Sequence, residues 1–478
     1  MNLRTKVISA LKWTTINRII GQIVTWGATI FVIRLLAPED YALIAIAGLV
    51  IGFSELLRDL GLGAVIIQRD DIDDEKMRTI FGVIIVTHIL MFLIINLLAP
   101  TVSTYFDQVR LAEILHVVSF QVLVSAFLMI PSALTIRAML FKWRSIIQMT
   151  ATILASLSTL VMAYHGFGVW SLVMGQFAAI LVNLIGFSLV MPYFKYPSFQ
   201  FHKIRSLISY SGYVFLSDIL YYFYTRADVA IVGKILGASS LGFYTVAYNL
   251  ATLPMGKISG MLSGIGFAAY AQIKNNPNEV KSKFLMTIEM NSLIFFPILW
   301  GISSIADDFI PILLGEKWLP AIIVLQLIPL IIPLQMTGPL FRPALLGIGR
   351  ADIFLKTLIT NAICVPGAIT LGGLWGGLEG VCMGWVVGFF LAYSLNVKRF
   401  LPILNIKLAE YLSAMLPAAL MALIMYMFVT GAKLTILQEI DAVYRLGLSV
   451  VIGIIIYTSL VIRFKNSSCK QIISLVKG

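Results

Sequence analysis

Near the middle of the sequence, Tyr221-Tyr222-Phe223-Tyr224-Thr225-Arg226-Ala227-Asp228 places aromatic rings, a guanidinium and a carboxylate inside one apolar stretch. A guanidinium presents a planar fork of donors that fits a phosphate bidentately. Rings that carry phenol hydroxyls suit stacking and hydrogen bonding against sugar rings, and suit packing between helices equally well. Arg226 and Asp228 fall about 200° apart on a helical wheel, so they cannot pair directly with each other. Each needs a partner on another helix, a water-filled cavity or a substrate.

An ionisable side chain inside a transmembrane segment is costly and marks a functional site by default. The other apolar runs hold the cations Arg18, Arg58, Lys257, Arg342 and Lys356, and the carboxylates Glu55, Asp59, Asp218, Glu289 and Glu379. Arg18 shares a polar stretch with Asn17 and Gln22, which suits an anion contact in a cavity. Lys257, Glu289, Arg342 and Lys356 lie near helix ends, where long stems also let a charge reach the headgroups. Glu55, Arg58 and Asp59 are spaced i, i+3 and i+4, so they share a face and can neutralise one another. That triad serves as an interhelical lock as readily as a substrate site. The candidate substrate-binding set is Arg18, Arg58, Arg226, Lys257 and Arg342 with Tyr221, Tyr222 and Tyr224. Glu55, Asp59, Asp218 and Asp228 are candidate coupling or structural carboxylates. No catalytic constellation, metal site or cofactor is expected. Cys364, Cys382 and Cys469 lack CxxC spacing, and His88, His116, His165 and His202 form no ligand cluster.

The elements that position these groups follow from composition. Apolar residues make up 59% of the 478, charged residues 12%, and the mean hydropathy is +0.94. A soluble domain is roughly a quarter charged. Apolar runs of about 20 residues recur along the chain, and in lipid such runs must satisfy their backbone groups internally, as helices. They do not alternate as barrel strands would. The reading is an all-α integral membrane protein with about fourteen transmembrane helices. Among the later spans are Tyr41–Ala64, Leu207–Gly233, Phe284–Ala306, Pro320–Leu346, Ile353–Leu371, Trp375–Val397, Leu408–Val429 and Val443–Ile462. The last two carry little embedded charge beyond Arg445 and read as a buttress.

Lys and Arg concentrate on the cytoplasmic side of a membrane protein. With this helix count the N-terminus and the even-numbered loops hold 23 of the 35 basic residues. The odd-numbered loops hold 5, namely Arg34, Arg110, Lys234, Lys317 and Lys433. Both termini are therefore expected in the cytoplasm. The net charge of +12 is a consequence of topology, and nucleic acid is not an expected partner.

The chain also resembles itself. Arg34 to Ala47 aligns with Lys234 to Ala247, and Gly168 with Met174-Gly175 aligns with Gly377 and Met383-Gly384. The repeat suggests two six-helix lobes, residues 1–200 and 201–402, around a central cavity. Two further helices and a basic tail, residues 403–478, follow. Six is even, so both lobes enter from one side and their pseudo-two-fold axis lies along the membrane normal.

Arg34-Leu-Leu-Ala-Pro-Glu-Asp-Tyr41, Asp59-Leu-Gly-Leu-Gly-Ala-Val-Ile-Ile-Gln-Arg69 and Gly166-Phe-Gly-Val-Trp-Ser-Leu172 carry a wider resemblance. So do Arg226-Ala-Asp228, Ile231-Val-Gly233, Leu241-Gly-Phe-Tyr244 and Leu314-Gly-Glu-Lys-Trp-Leu-Pro320. These segments resemble the polysaccharide-exporter, Wzx-type and colanic-acid-exporter-like branch of the multidrug/oligosaccharidyl-lipid/polysaccharide superfamily. Ala42 departs from the Gly more usual there. The resemblance implies a multi-pass flippase of the bacterial inner membrane. Such a protein moves an undecaprenyl-pyrophosphate-linked oligosaccharide across the bilayer by alternating access. Its partners would be that lipid, membrane lipids and other polysaccharide-assembly proteins, with no enzymatic activity. Two alternatives stay open: an ion-coupled multidrug antiporter of the same superfamily, and a membrane-embedded polysaccharide polymerase, although the outer loops are short for the latter.

Single cysteines in a cysteine-free background test the orientation. An impermeant thiol reagent added outside should label positions 108 and 433, and should reach 203 and 470 only after permeabilisation. The reverse pattern would contradict the 23-to-5 distribution.

Overall fold

The computed structural model describes residues 25–59, 62–69, 72–200, 212–253, 276–347 and 350–464. Side chains at 57–59, 64, 68, 212–218, 339, 342–343, 346–347 and 351 lie outside that description. Within it every regular element is a helix. In chain order these are α1 (Thr25–Leu35), α2 (Pro38–Asp59), α3 (Leu62–Gln68), α4 (Asp74–Tyr105), α5 (Arg110–Arg137), α6 (Phe141–Tyr164) and α7 (Val169–Val190). Then come α8 (Gly212–Ile235), α9 (residues 237–253), α10 (Pro277–Leu313), α11 (Ile322–Gln335), α12 (Gly338–Gly347), α13 (Ala351–Phe400), α14 (Leu408–Leu434) and α15 (Ala442–Phe464). Nine helices among the described residues are long and apolar enough to cross a bilayer, and α1 with α2, bent by 120°, makes a tenth if the pair is one span. The protein is an all-α, multi-pass membrane protein.

The chain divides into two compact units, residues 1–222 with 237–242 and residues 223–236 with 243–478. In the first, Leu62, Ile66, Met77, Ile80, Ile84, Ala126 and Ile130 form a buried cluster that joins α3, α4 and α5. Asp40 organises the entry to two helices of this unit. Its Oδ2 accepts from the Ala37 amide at 3.2 Å, and its Oδ1 accepts from the Val169 amide at the start of α7 at 3.1 Å. A carboxylate at an N-terminus satisfies an orphan donor and complements the helix dipole.

In the second unit α13 is 50 residues long. A straight helix of that length would reach about 75 Å, more than twice a bilayer core of roughly 30 Å. It folds back at Gly376-Gly377, where Gly377 takes φ 56° and ψ −138°. Gly372 meets Gly380, Gly384 meets Ala368, and Asn396 donates to Asn361 at 2.9 Å, so the two arms run antiparallel. The α6–α7 pair repeats the device: Gly168, just before α7, has φ 55° and ψ −134°. Seven residues on, Gly175 packs against Thr159 and Ala155, as Gly384 does against Ala368.

Several sequence expectations change at their edges. The span read as Phe284–Ala306 is longer, because Asn276 caps α10 through Glu279 and Pro277 starts it. The polar stretch read there as a loop therefore opens a helix. The span read as Pro320–Leu346 is broken into α11 and α12, with Pro329 and Pro333 inside the first piece. Proline removes an amide donor and clashes one turn back, and side-chain donors on α10 tie this broken span to its neighbour. Asn291 donates to the Met336 carbonyl at 2.9 Å, Trp300 to Leu330 at 3.1 Å and Ser303 to Gln326 at 2.5 Å. Tyr41–Ala64 likewise ends at Asp59, and α3 follows.

Lys433 is the largest correction. The sequence reading put it in an outer loop, but it lies in the last turn of α14 and is 8% exposed. Its ammonium pairs with Asp307 and, at 2.9 Å, with Asp308 on α10. Arg445 reaches the same Asp308 at 2.6 Å. A cysteine at 433 is therefore a poor reporter of sidedness, and 108 remains the usable outer position.

The hairpin makes a direct prediction. A Cβ at Gly384 would sit 2.4 Å from the Ala368 carbonyl oxygen, whereas one at Gly367 meets nothing within 4 Å. Gly384→Ala should cost roughly 1–3 kcal/mol through overpacking. Gly367→Ala should be neutral or stabilising by about 0.4–1 kcal/mol. Thermal unfolding in detergent reads both, and equal melting temperatures would refute the packing assignment.

Candidate functional site

The aromatic and charged run of the sequence forms the middle of α8, and its helical faces divide the roles. Tyr224, Asp228 and Val232, spaced four apart, are buried. Tyr221, Phe223, Arg226 and Lys234 are exposed. A spacing of four keeps residues on one face, while the step of two from Tyr224 to Arg226 reaches the opposite one.

On the buried face Asp228 finds its partner one helix further on. Tyr244 on α9 donates its hydroxyl to Asp228 Oδ2 at 2.6 Å, and Trp385 on the second arm of α13 donates its indole N–H to the Tyr244 hydroxyl at 2.7 Å. The Val229 amide donates to Asp228 Oδ1 at 2.8 Å. Tyr248 stacks on Tyr244 with ring centroids 5.6 Å apart and lies 6.0 Å from the Trp385 ring. Asp228 is held by two direct donors, one of them itself fixed by Trp385, and is closed to solvent, being 3% exposed. The network thus fixes the rotation of α8 about its axis, and so the direction of the opposite face.

On that opposite face Arg226 is exposed and makes no hydrogen bond or ion pair with a described residue. Phe223, three residues earlier on this side of the helix, is 57% exposed. Tyr222 is engaged with α2: its hydroxyl meets the Leu49 carbonyl at 2.5 Å, and its ring packs on Gly52 and lies 6.1 Å from Phe53. Tyr224 is buried at 7% exposure. Of the carboxylates, Glu55 is exposed on α2. Arg18 and Lys257 lie outside the described residues, as do the side chains of Arg58, Asp59, Asp218 and Arg342. The structure therefore turns Arg226 to one face of α8 and Asp228 and Tyr224 to the other, with Tyr221 exposed about 140° around the helix from Arg226.

Sequence reasoning missed Tyr244, Tyr248 and Trp385 as partners of Asp228, and Asp307 and Asp308 as partners of Lys433 and Arg445. A signal for the first was present. Arg226-Ala-Asp228 and Leu241-Gly-Phe-Tyr244 were both noticed as motifs, and they meet at a hydrogen bond. Among the described residues no group of three or more His, Cys, Asp or Glu side chains could hold a metal ion.

The comparisons with known proteins agree on family and fold. The family described as polysaccharide biosynthesis protein matches residues 31–323. The chain is 26% identical over 434 residues to the lipopolysaccharide biosynthesis protein WzxC of Escherichia coli K12, covering 87% of this chain and 86% of that one. It is 22% identical over 469 residues to the teichuronic acid biosynthesis protein TuaB of Bacillus subtilis 168, covering 96% and 95%. Among solved structures, the lipid II flippase MurJ in an inward closed conformation superposes with a TM-score of 0.73 over 95% of this chain and 99% of its own, at 13% identity. An inward-facing multidrug resistance MATE transporter of the MOP superfamily gives 0.64 over 83% and 98%, at 16% identity.

Tyr244→Phe isolates the buried network. It removes the donor to Asp228 and the acceptor for Trp385 while keeping the ring. Leaving buried polar groups unpaired costs about 1–3 kcal/mol each, so the variant should melt several degrees lower. An unchanged melting temperature would show that the hydroxyl is dispensable to the fold.

Proposed function

We propose, because this chain belongs to the polysaccharide biosynthesis protein family, that it is a flippase for a lipid-linked oligosaccharide destined for a cell-surface polysaccharide. The finer reading is an undecaprenyl-pyrophosphate-linked repeat unit carried from the cytoplasmic to the outer leaflet of the inner membrane, with both termini in the cytoplasm.

Arg226 carries this reading. A guanidinium on a transmembrane helix without a protein partner costs several kcal/mol if it faces hydrocarbon. The face of α8 that bears it therefore faces water or an anionic ligand. A pyrophosphate supplies two phosphoryl groups that match the fork of a guanidinium. Tyr221, exposed on the same helix, offers a ring and a hydroxyl to the first sugars. Arg18, Arg58, Lys257 and Arg342 would add cations along the path, and the polyprenyl tail would stay in lipid. Alternating access would carry the headgroup from one side of the membrane to the other, by rocking of the two lobes. Asp228, held by Tyr244, acts here as the structural counterweight that aims Arg226.

Variants of Arg226 test the proposal through polysaccharide export in cells that depend on this chain. Arg226→Ala should abolish export at normal protein abundance. Arg226→Lys keeps the charge but loses the fork, and the loss of one charge-assisted hydrogen bond, about 1.5–3 kcal/mol, should slow export by roughly tenfold or more. Full export by Arg226→Ala would remove the residue from the substrate path. Uptake of a cationic dye by the purified protein, with no response to either variant, would favour an antiporter instead.

A further inference from the structure

Proline 297 interrupts α10 near its middle. The proline has no amide hydrogen, so the carbonyl of Leu293 one turn earlier loses its helical donor. In hydrocarbon no water replaces that donor, and a neighbouring side chain must. Tyr457 on α15 does so, donating its hydroxyl to the Leu293 carbonyl at 2.8 Å. The donor thus comes from a different helix, and the state of α10 is tied to the position of α15.

Two further features bear on the same point. A cavity of about 340 Å³ lies beside Pro297, bounded by Gly301, Met425, Gly453 and Tyr457. The cavity is open on one side rather than enclosed, and it leaves room beside a broken helix. The hydroxyl of Ser449 lines the cavity and is buried with no partner among the described residues. In addition, both ends of α10 are pinned by ion pairs to the last two helices. Lys281 pairs with Glu410 at 2.7 Å at one end, and Asp308 pairs with Lys433 at 2.9 Å and Arg445 at 2.6 Å at the other. A helix fixed at both ends changes shape by bending between them, and Pro297 is where the backbone ladder is already open.

We propose that α10 is a latched hinge, which bends at Pro297 into the cavity beside it, and that the Tyr457 hydroxyl holds the conformation seen here. Bending withdraws the Leu293 carbonyl from Tyr457 and brings α10 backbone toward the unpartnered Ser449 hydroxyl. The last two helices therefore set the balance between two shapes of a central helix. This goes beyond the proposed function and requires only that the chain change conformation.

Spin labels at Ile298→Cys and Ile454→Cys, with Cys364, Cys382 and Cys469 replaced by Ser, read the separation of α10 and α15 in proteoliposomes. The latched parent should give a major distance and a minor one. Tyr457→Phe removes only the hydroxyl and should raise the minor share at least threefold. Pro297→Ala restores the amide donor to Leu293 and should leave a single distance. An unchanged distribution in Tyr457→Phe, or a second distance that persists in Pro297→Ala, would overturn the hinge. The expected shifts in a protein that moves no lipid-linked sugar would support the hinge and count against the proposed substrate alone.

Discussion

A polar group inside hydrocarbon has no water to turn to, and this one constraint governs the structure. Every carbonyl freed by a proline and every embedded charge needs an internal partner or a wet face. The chain meets the demand with donors borrowed across helices. Asn291, Trp300 and Ser303 serve the carbonyls of the proline-bearing α11 and the turn after it. Asp40 takes the first amide of α7, and Tyr244 with Trp385 closes Asp228. Against this pattern Arg226 stands out because its guanidinium is exposed and makes no hydrogen bond or ion pair with a described residue, although its charge acts on the buried Asp228. The contrast between two charges two positions apart on α8, one buried and hydrogen-bonded and one exposed, is the physical basis of the proposal that Arg226 meets the substrate.

Much of this was legible beforehand. Apolar runs longer than a bilayer core can be read directly, so the all-α membrane architecture followed from hydropathy. That Arg226 and Asp228 fall on different faces of one helix followed from helical spacing alone. The glycine matches also pointed to real geometry: Gly168 and Gly377 share almost the same backbone angles before their helices. What could not be read was which distant residues meet. Tyr244 and Trp385 lie 16 and 157 positions beyond Asp228, and no local pattern names them. The fate of Lys433 was hidden for a similar reason. Its loop assignment assumed that charge ends a span, but Asp307 and Asp308 on α10 let a charged turn stay buried.

The motifs behind the family resemblance gain a physical meaning in this light. Asp40 of the Pro-Glu-Asp-Tyr segment bonds Val169 of the Gly-Phe-Gly-Val-Trp segment. Phe243 packs edge-on to the fully buried Trp318, 5.8 Å between ring centroids, which joins two other motifs. These positions act as ties between helices. The residues that would choose a substrate are to be sought on exposed faces such as that of Arg226. The last two helices are tied to α10 at polar points through Lys433, Arg445 and Tyr457.

The central claim is movement of an anionic lipid-linked sugar between leaflets. Its most direct test is reconstitution of the purified protein in vesicles that hold a polyprenyl-pyrophosphate-linked oligosaccharide, labelled on the sugar. Accessibility of the sugar to an impermeant glycosidase or lectin added outside then reports transfer over time. The account predicts transfer well above that of protein-free vesicles. Transfer no faster than in protein-free vesicles, from folded protein reconstituted in both orientations, would contradict it.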